Sequence, residues 1–209
     1  MCSLFLFMQV FYETHRQTYK LLSRNLVNAH IYSLFCIIVM DKTKWITRTF
    51  PVITDNGLLP GIMERLEGTP ARIETKVRGL SADRLEFKPA DKWSIKEEIG
   101  HLGDLEPLWL GRIDDFEAGL GELRPADMSN KKTYEADHQK KDIMELVGYF
   151  TSQRNELVRR MRDLNGDILS RISMHPRLKT PMRVVDLAYF VAEHDDHHLA
   201  NISAIIHGT

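Results

Sequence analysis

Between Asp186 and Ile206, apolar residues recur every three or four positions, which is the spacing of one buried face of an α-helix. His194 and His198 fall inside this stripe, one turn apart and separated by about 40° around the helix axis. Two imidazoles in this arrangement can bind one metal ion, as in the two-histidine half of helix-borne zinc sites. Two ligands do not complete a site, so further ligands must come from elsewhere. The stripe consists of Leu187, Phe190, Val191, Ile202 and Ile205.

Three earlier segments carry the same helical periodicity, and strand-like alternation is scarce throughout the chain. The pattern therefore predicts an all-α protein built from four long helices in one domain. The first helix runs from a turn at Asp55 to about Gly79. Pro70 lies inside this helix and removes a backbone hydrogen bond, which predicts that the helix is broken or kinked.

The second helix has a clear start signal. Ser94 followed by Glu97 three residues later forms a capping box, the pairing that satisfies free N–H groups at a helix N-terminus. We expect this helix to end near Gly119 or Gly121 and to kink at Pro107.

The third helix is predicted from about Asp137 to Leu164, and the fourth is predicted to open at Thr180-Pro181. Residues 119–138 form a polar connection between the second and third helices. This connection is long for adjacent antiparallel helices, which are usually joined by about 2–8 residues. A connection of this length can cross the bundle and allow those two helices to run parallel.

His101 lies in the second helix near its apolar face and points into the bundle. With His194 and His198 it gives three imidazoles, and three ligands with an open fourth position are typical of catalytic sites for Zn²⁺, Ni²⁺ or Fe²⁺. From spacing alone, a histidine pair of this kind is more often a surface coincidence. We interpret His197 as a residue at the rim of the site.

Two further histidines, His138 and His175, lie in connecting segments and are predicted to be exposed. Asp195 and Asp196 follow His194 directly and so point away from its face. For these two carboxylates, a surface position or a role in orienting an imidazole fits better than catalysis.

The composition narrows the classes of partner. The chain has 209 residues and a net charge of −1, so bulk electrostatics favour neither nucleic acid nor an anionic membrane surface. Its two cysteines, Cys2 and Cys36, both precede Met40. Neither disulfides nor thiolate ligands are available to the remainder, which suits the cytoplasm and leaves nitrogen and oxygen ligands for any metal.

Residues 1–39 differ from the rest by being rich in Phe, Leu and Tyr. Neither of their two apolar patches approaches the roughly 20 residues that a membrane span needs. The composition changes at Met40, and we interpret residues 1–39 as an atypical extension upstream of the true start. Residues 40–209 then form the helical domain.

Two segments carry a resemblance to a known family. Trp93–Glu106, with the sequence WSIKEEIGHLGDLE, and Glu193–Ile202, with the sequence EHDDHHLANI, resemble the DinB-like family, which includes the YfiT-type metal-dependent hydrolases. The similarity covers about residues 53–207. It implies a four-helix bundle with up-down-down-up topology. It also implies a divalent metal, nickel or zinc, on three histidines that match His101, His194 and His198.

The resemblance leaves the reaction open between two types. Some relatives are S-transferases or isomerases that use a low-molecular-weight thiol, and others are hydrolases. A metal ion lowers the pKa of a bound thiol or water, so the same centre suits either reaction. Both reactions need a carboxylate nearby, and Glu97 and Asp104, one turn before and one turn after His101, are the catalytic candidates. Their alternative roles are helix capping for Glu97 and hydrogen bonding to an imidazole for Asp104.

Two hypotheses follow for the function. In the first, the protein is a metal-dependent enzyme that acts on a small-molecule substrate. In the second, it is a stress-associated bundle that binds a metal or small ligand without catalysis, because no single residue is an unambiguous acid or base. Relatives of this fold are commonly dimers, so a homodimer is an additional expectation from the resemblance.

Overall fold

The computed structural model of the chain describes residues 42–90 and 92–208. Its contacts divide the chain into two units, Met1–Thr43 and Lys44–Thr209, and the features below belong to the second unit. The predicted extension, residues 1–39, lies outside the described residues.

Four long helices dominate the described residues, which confirms the prediction of an all-α fold. In chain order the helices are α1 (Leu59–Val77), α2 (Ala82–Glu86), α3 (Ile95–Glu117), α4 (Lys131–Glu135), α5 (Ile143–Arg162), α6 (Gly166–Ser170) and α7 (Val184–His207). Short 3-10 turns cover Trp45–Thr47, Asn56–Leu58 and His138–Lys140. Two-residue strands β1 (Ser173–Met174) and β2 (Pro181–Met182) pair antiparallel in the last connection.

Helix α1 continues through Pro70, so of the two predicted alternatives, a broken or a kinked helix, the break does not occur. Proline lacks the N–H that would bond to the carbonyl of Leu66, four residues earlier. That carbonyl instead accepts a hydrogen bond of 3.2 Å from Nη1 of Arg154 on α5. A side chain from a neighbouring helix thus satisfies the acceptor, and the helix need not end.

The start of α3 agrees with the sequence and the start of α7 does not. Ser94 and Glu97 form the predicted capping box, and α3 ends at Glu117, shortly before Gly119 with its positive φ of 68°. Helix α7 begins at Val184 rather than at Thr180-Pro181, because Pro181 pairs in β2. The carboxylate of Asp186 caps α7 by accepting from the backbone N–H of Arg183 at 2.8 Å.

Each long helix packs on two others: α1 and α3 each contact α5 and α7. Hydrogen bonds join α1 to α7 in parallel order, from Arg65 with Glu193 to Lys76 with Ser203. Contacts between α3 and α5 also follow parallel order. Glu98, near the start of α3, contacts His198 in the second half of α7, as expected for antiparallel helices. Helices α1 and α7 thus run parallel to each other, and so do α3 and α5.

The apolar core consists of two clusters separated by a polar layer. One cluster contains Leu66, Phe116 and Leu157, and the other contains Ile99 and Ile202. Burial of each such side chain contributes about 1.5–3 kcal/mol, so these clusters supply most of the driving force for assembly. Buried polar side chains lie between the two clusters, near the middle of each long helix.

No helix of residues 42–90 and 92–208 combines the length and the apolar character that a membrane span requires.

Candidate metal centre

Three imidazoles meet where α3 faces α7. His101 from α3 and His194 and His198 from α7 are 4%, 3% and 5% exposed. Each offers one ring nitrogen, and these three atoms lie within 4.8 Å of one another. The Nε2 atoms of His194 and His198 are 3.1 Å apart. The structure therefore brings together all three histidines that were predicted as ligands.

Hydrogen bonds at the far side of two rings fix which nitrogen is available. Nδ1 of His198 lies 2.5 Å from Oε2 of Glu98, an acceptor, so the ring proton resides on Nδ1. Nδ1 of His101 lies 3.0 Å from Oγ1 of Thr133, which in turn donates to Oδ2 of Asp104. In both rings this leaves the Nε2 lone pair for the centre, as in carboxylate–histidine–metal arrangements.

The third ring, His194, has a buried Nδ1 with no hydrogen-bond partner among the described residues. Burial lowers the pKa of His194 well below its usual value, and the neighbouring His198 and His101 add to this effect. Burial, assisted by His198, also lowers the pKa of His101 to about 3. Both rings are therefore neutral at physiological pH, which is the form that binds a metal.

Asp104 is buried behind His101 and links it to a fourth histidine. Its Oδ2 accepts from Oγ1 of Thr133 at 3.0 Å and from Nε2 of His138 at 2.8 Å. Burial opposes ionisation, but the hydrogen bonds from His138 and Thr133 and the charge of Lys132 outweigh it and hold the pKa of Asp104 below its usual value. Asp104 is thus an anion held in place by its donors.

His138 and His175 are buried, at 3% and 2% exposed, so the prediction that both are exposed is wrong. The segment around α4 folds over α3, and the ring of His138 rests on Gly100. A Cβ atom at Gly100 would lie 2.4 Å from that ring, so the close approach requires glycine. Sequence periodicity assigns such a segment to a loop and does not show that the loop is packed.

Glu97 and Glu98 are adjacent but have different surroundings. Glu97 accepts from the backbone N–H of Ser94 at 2.9 Å and from Nζ of Lys88 at 2.5 Å. Glu98, which sequence reasoning did not select, is buried against His198 and accepts from Nδ2 of Asn201 at 3.1 Å. The signal that could have identified it is its position three residues before His101, on the same face of α3.

A second polar cluster is buried beside the imidazoles. The side chain of Arg154 on α5 is fully buried and bonds Glu106 on α3 at 2.6 Å and Asp195 on α7. Thr69 on α1 donates to Asp195 at 2.8 Å. The expectation that Asp195 is a surface or imidazole-orienting residue is wrong, because it lies inside the bundle between helices. Burial, despite the charge of Arg154, raises the pKa of Glu106 to about 7.

A pocket of about 610 Å³ opens beside the three imidazoles. Its walls include the aromatic side chains of Trp45, Trp93, Trp109 and Phe190. His197 also lines it, in agreement with the interpretation of this residue as part of the rim. The size and the apolar walls suit a small organic molecule. A metal held by the imidazoles would be adjacent to such a molecule.

Comparisons with known proteins agree with this geometry. The model of the DinB superfamily matches residues 65–202, a range that contains all three histidines. The solved structure of YfiT from Bacillus subtilis, described as a probable metal-dependent hydrolase with an unusual four-helix bundle topology, is similar with a TM-score of 0.62. The identity is 19%, and the match covers 77% of this chain and 92% of YfiT. A search of curated proteins finds no match. Because the family model covers well over half of the sequence, including both histidine segments, the chain belongs to the DinB superfamily.

Proposed function

We propose that this protein is a metal-dependent enzyme of the hydrolase type that acts on a small molecule, with a divalent metal on His101, His194 and His198. The observation that carries the proposal is the set of hydrogen bonds behind the rings. The contacts of His101 with Thr133 and of His198 with Glu98 leave two Nε2 lone pairs for one common point. The description of YfiT as a probable metal-dependent hydrolase supports the same reading.

The donor set fits such an ion. Three imidazole nitrogens suit Zn²⁺, Ni²⁺ or Fe²⁺ better than Mg²⁺ or Ca²⁺, which prefer oxygen ligands. When bound, the metal would supply Lewis acidity: it would lower the pKa of a bound water to about 7 and would deprotonate a bound thiol. The pocket next to the rings provides room for a substrate.

The protein's own groups would act mainly by positioning. Glu98 holds the Nδ1 proton of His198, and Asp104 acts on His101 through Thr133. We propose that Asp104 is a positioning residue, because hydrogen bonds connect its carboxylate to the ring of His101 through the hydroxyl of Thr133. We propose the capping role for Glu97, because both of its oxygens are engaged at the start of α3.

Metal content tests the centre directly. Mass spectrometry of the untagged full chain should find about one equivalent of zinc, nickel or iron. His101→Ala and His194→Ala should lose the metal. His207→Ala, which removes an exposed histidine at the end of the same helix α7, should keep it. A wild-type chain without metal even after reconstitution would remove the basis of the proposal.

Turnover then tests the reaction. Metal-loaded protein should hydrolyse members of an ester and amide panel, and His194→Ala should be inactive with an unchanged helical circular dichroism spectrum. The same panel should include electrophiles with bacillithiol, mycothiol or glutathione. Turnover only in the presence of a thiol would assign S-transfer instead of hydrolysis.

One observation favours a second candidate, a bundle that binds metal or ligand without catalysis. Among the described residues that line the pocket, the one carboxylate is Asp127, and its oxygens accept from Ser129 and from the backbone N–H of Lys131. No carboxylate in that wall is thus available as a general base. A metal-loaded chain that binds small molecules tightly but turns over neither panel would select this candidate.

The homodimer and the cytoplasmic location are further proposals that rest on the family resemblance and on composition. Light scattering of the full chain and fractionation of the source cells would test them separately. A monomer at all concentrations would exclude the first.

A further inference from the structure

Three nitrogen-rich side chains line the pocket away from the imidazole centre. Arg112 projects from α3, and His175 and Arg177 come from the turn between β1 and β2. Arg112 and His175 are 1% and 2% exposed. Buried cationic and polar groups are costly unless they are paired, so their partners matter.

Neither guanidinium has a carboxylate partner among the described residues, whereas the other buried arginine there, Arg154, is paired with Glu106 and Asp195. No ion pair within 4.0 Å involves Arg112 or Arg177 there. Asp115, three residues after Arg112 on α3, acts on the guanidinium through its charge, but its carboxylate binds Arg124 at 2.7 Å and accepts the backbone N–H of that residue. Nε of Arg112 donates instead to the carbonyl oxygen of Arg124 at 3.2 Å. The charge of Asp115 and the Trp109 ring, whose centroid lies 5.2 Å from the guanidinium carbon, act on Arg112, but no carboxylate bonds its guanidinium directly.

Hydrogen-bond donors also exceed acceptors at this place. Nδ1 of His175 accepts the backbone N–H groups of Arg177 and Leu178 at 3.2 and 3.1 Å, so the ring proton resides on Nε2. That Nε2 lies 3.3 Å from Nη1 of Arg112, which places one donor against another. Nη2 of Arg177 is buried and has no partner among the described residues. An acceptor with several lone pairs would satisfy all three groups.

We infer that Arg112, His175 and Arg177 bind the acid group of a small organic anion, a carboxylate with an apolar body. Guanidinium groups match the two oxygens of a carboxylate, and such charge-assisted hydrogen bonds are the strongest in proteins. The aromatic walls formed by Trp109 and Phe190 suit an apolar body, whereas a bare inorganic anion would leave them uncovered. That this anion is the substrate of the metal centre rests on the proposed function. The binding of the anion to the three side chains does not.

The test compares acids with their neutral isosteres. The probes are phenylacetate, 3-phenylpropionate and octanoate, each beside its primary amide, titrated into the full chain at constant ionic strength. All three tryptophans of the chain, Trp45, Trp93 and Trp109, line the pocket, so tryptophan fluorescence reports on binding, and calorimetry provides an independent measurement. At least one acid should bind about tenfold or more tightly than its amide.

Arg177→Gln should reduce that preference to about twofold or less. Arg171→Gln is the matched control. Arg171 lies in the same connection, is exposed, and donates to the backbone carbonyls of Phe116 and Glu117. This control should leave the preference unchanged. The inference is overturned if no acid binds better than its amide, or if no acid binds at all. It is also overturned if Arg177→Gln and Arg171→Gln change the preference equally.

Repeating the titration after treatment with a chelator separates this inference from the proposed function. A preference for the acid that persists without metal supports the anion site even if the chain turns out to hold no metal. Metal binding and turnover without any preference for acids would retain the proposed function and overturn the anion site.

Discussion

Helix α7 presents two buried polar clusters on neighbouring faces, and they differ in whether one protein group joins their members. Asp195 belongs to a closed cluster in which Arg154 donates to Glu106, to Asp195 and to the carbonyl of Leu66. His194, the preceding residue, belongs to an open cluster whose ring nitrogens converge without a shared partner. The difference teaches which cluster holds the helices together and which is available to a ligand.

The closed cluster joins all four long helices through one guanidinium. Its contacts come from α1, α3 and α7, while Arg154 itself lies on α5. Such a cluster can be replaced as a whole by apolar side chains, but removal of one member leaves an unpaired buried charge. In the open cluster, His101 and His194 are neutral, and His101 and His198 are hydrogen-bonded from behind.

Arg154→Met gives the largest expected effect and tests the closed cluster. It leaves Glu106 and Asp195 buried without a cation, so the free energy of unfolding should fall by about 3–5 kcal/mol. Urea denaturation followed by circular dichroism measures this change. Arg159→Met, at an exposed position of the same helix, should change it by no more than about 0.5 kcal/mol. Equal effects from the two substitutions would remove the structural role assigned to Arg154.

Glu98→Gln tests the open cluster, with an effect of intermediate size. Loss of the carboxylate behind His198 should lower metal affinity about 10- to 100-fold, since such partners fix the ring orientation and raise its basicity. A competitive chelator titration measures this affinity. Glu97→Gln is the control at the adjacent position. It should leave metal affinity unchanged and, because Gln also serves at this position of a capping box, it should change the cap of α3 little. The reverse result would return Glu97 to the catalytic candidates.

The smallest effect is the pH dependence of the closed cluster. The folded-state pKa of Glu106 is about 7, above its ordinary value of 4.5. Between pH 4.5 and 7, Glu106 is therefore protonated in the folded state and ionised in the unfolded state. Stability from this group is therefore fully present below about pH 4.5 and is lost as pH rises through about 7.

In Glu106→Gln, which mimics the protonated acid, the loss of stability between pH 5 and 8 should shrink by on the order of 1–2 kcal/mol relative to wild type. Urea denaturation at several pH values measures this difference. Parallel pH profiles for the two proteins would show that Glu106 is ionised throughout, with Arg154 as its full counter-charge.

The sequence was sufficient for the parts that depend on periodicity within one helix. The apolar stripe of α7 and the capping box of α3 placed His101, His194 and His198 on inward faces, and the structure agrees. Periodicity failed at Asp195, because its carboxylate bonds Thr69 on α1 and Arg154 on α5 inside the bundle, and only the partner helices show this.

The parts that depend on a connection could not be predicted from local patterns. Thr133 and His138 reach the site because the α4 segment packs on Gly100, and a glycine inside a helix does not by itself indicate such packing. Thr180-Pro181 has the form of a helix start, yet Pro181 pairs with Met174 across the two-residue ladder. In both places a contact distant in sequence overrides the local preference.

The carbonyl of Leu66, left without its intrahelical donor by Pro70, has a consequence for the order of folding. Because Nη1 of Arg154 replaces that donor, α1 completes its backbone hydrogen bonds only once α5 has docked. A peptide of residues 59–77 should therefore show little helix in water, as short helices that lack packing are marginal and an interior proline weakens them further. The completion of α1 thus depends on α5, which couples the folding of these two helices into one cooperative transition.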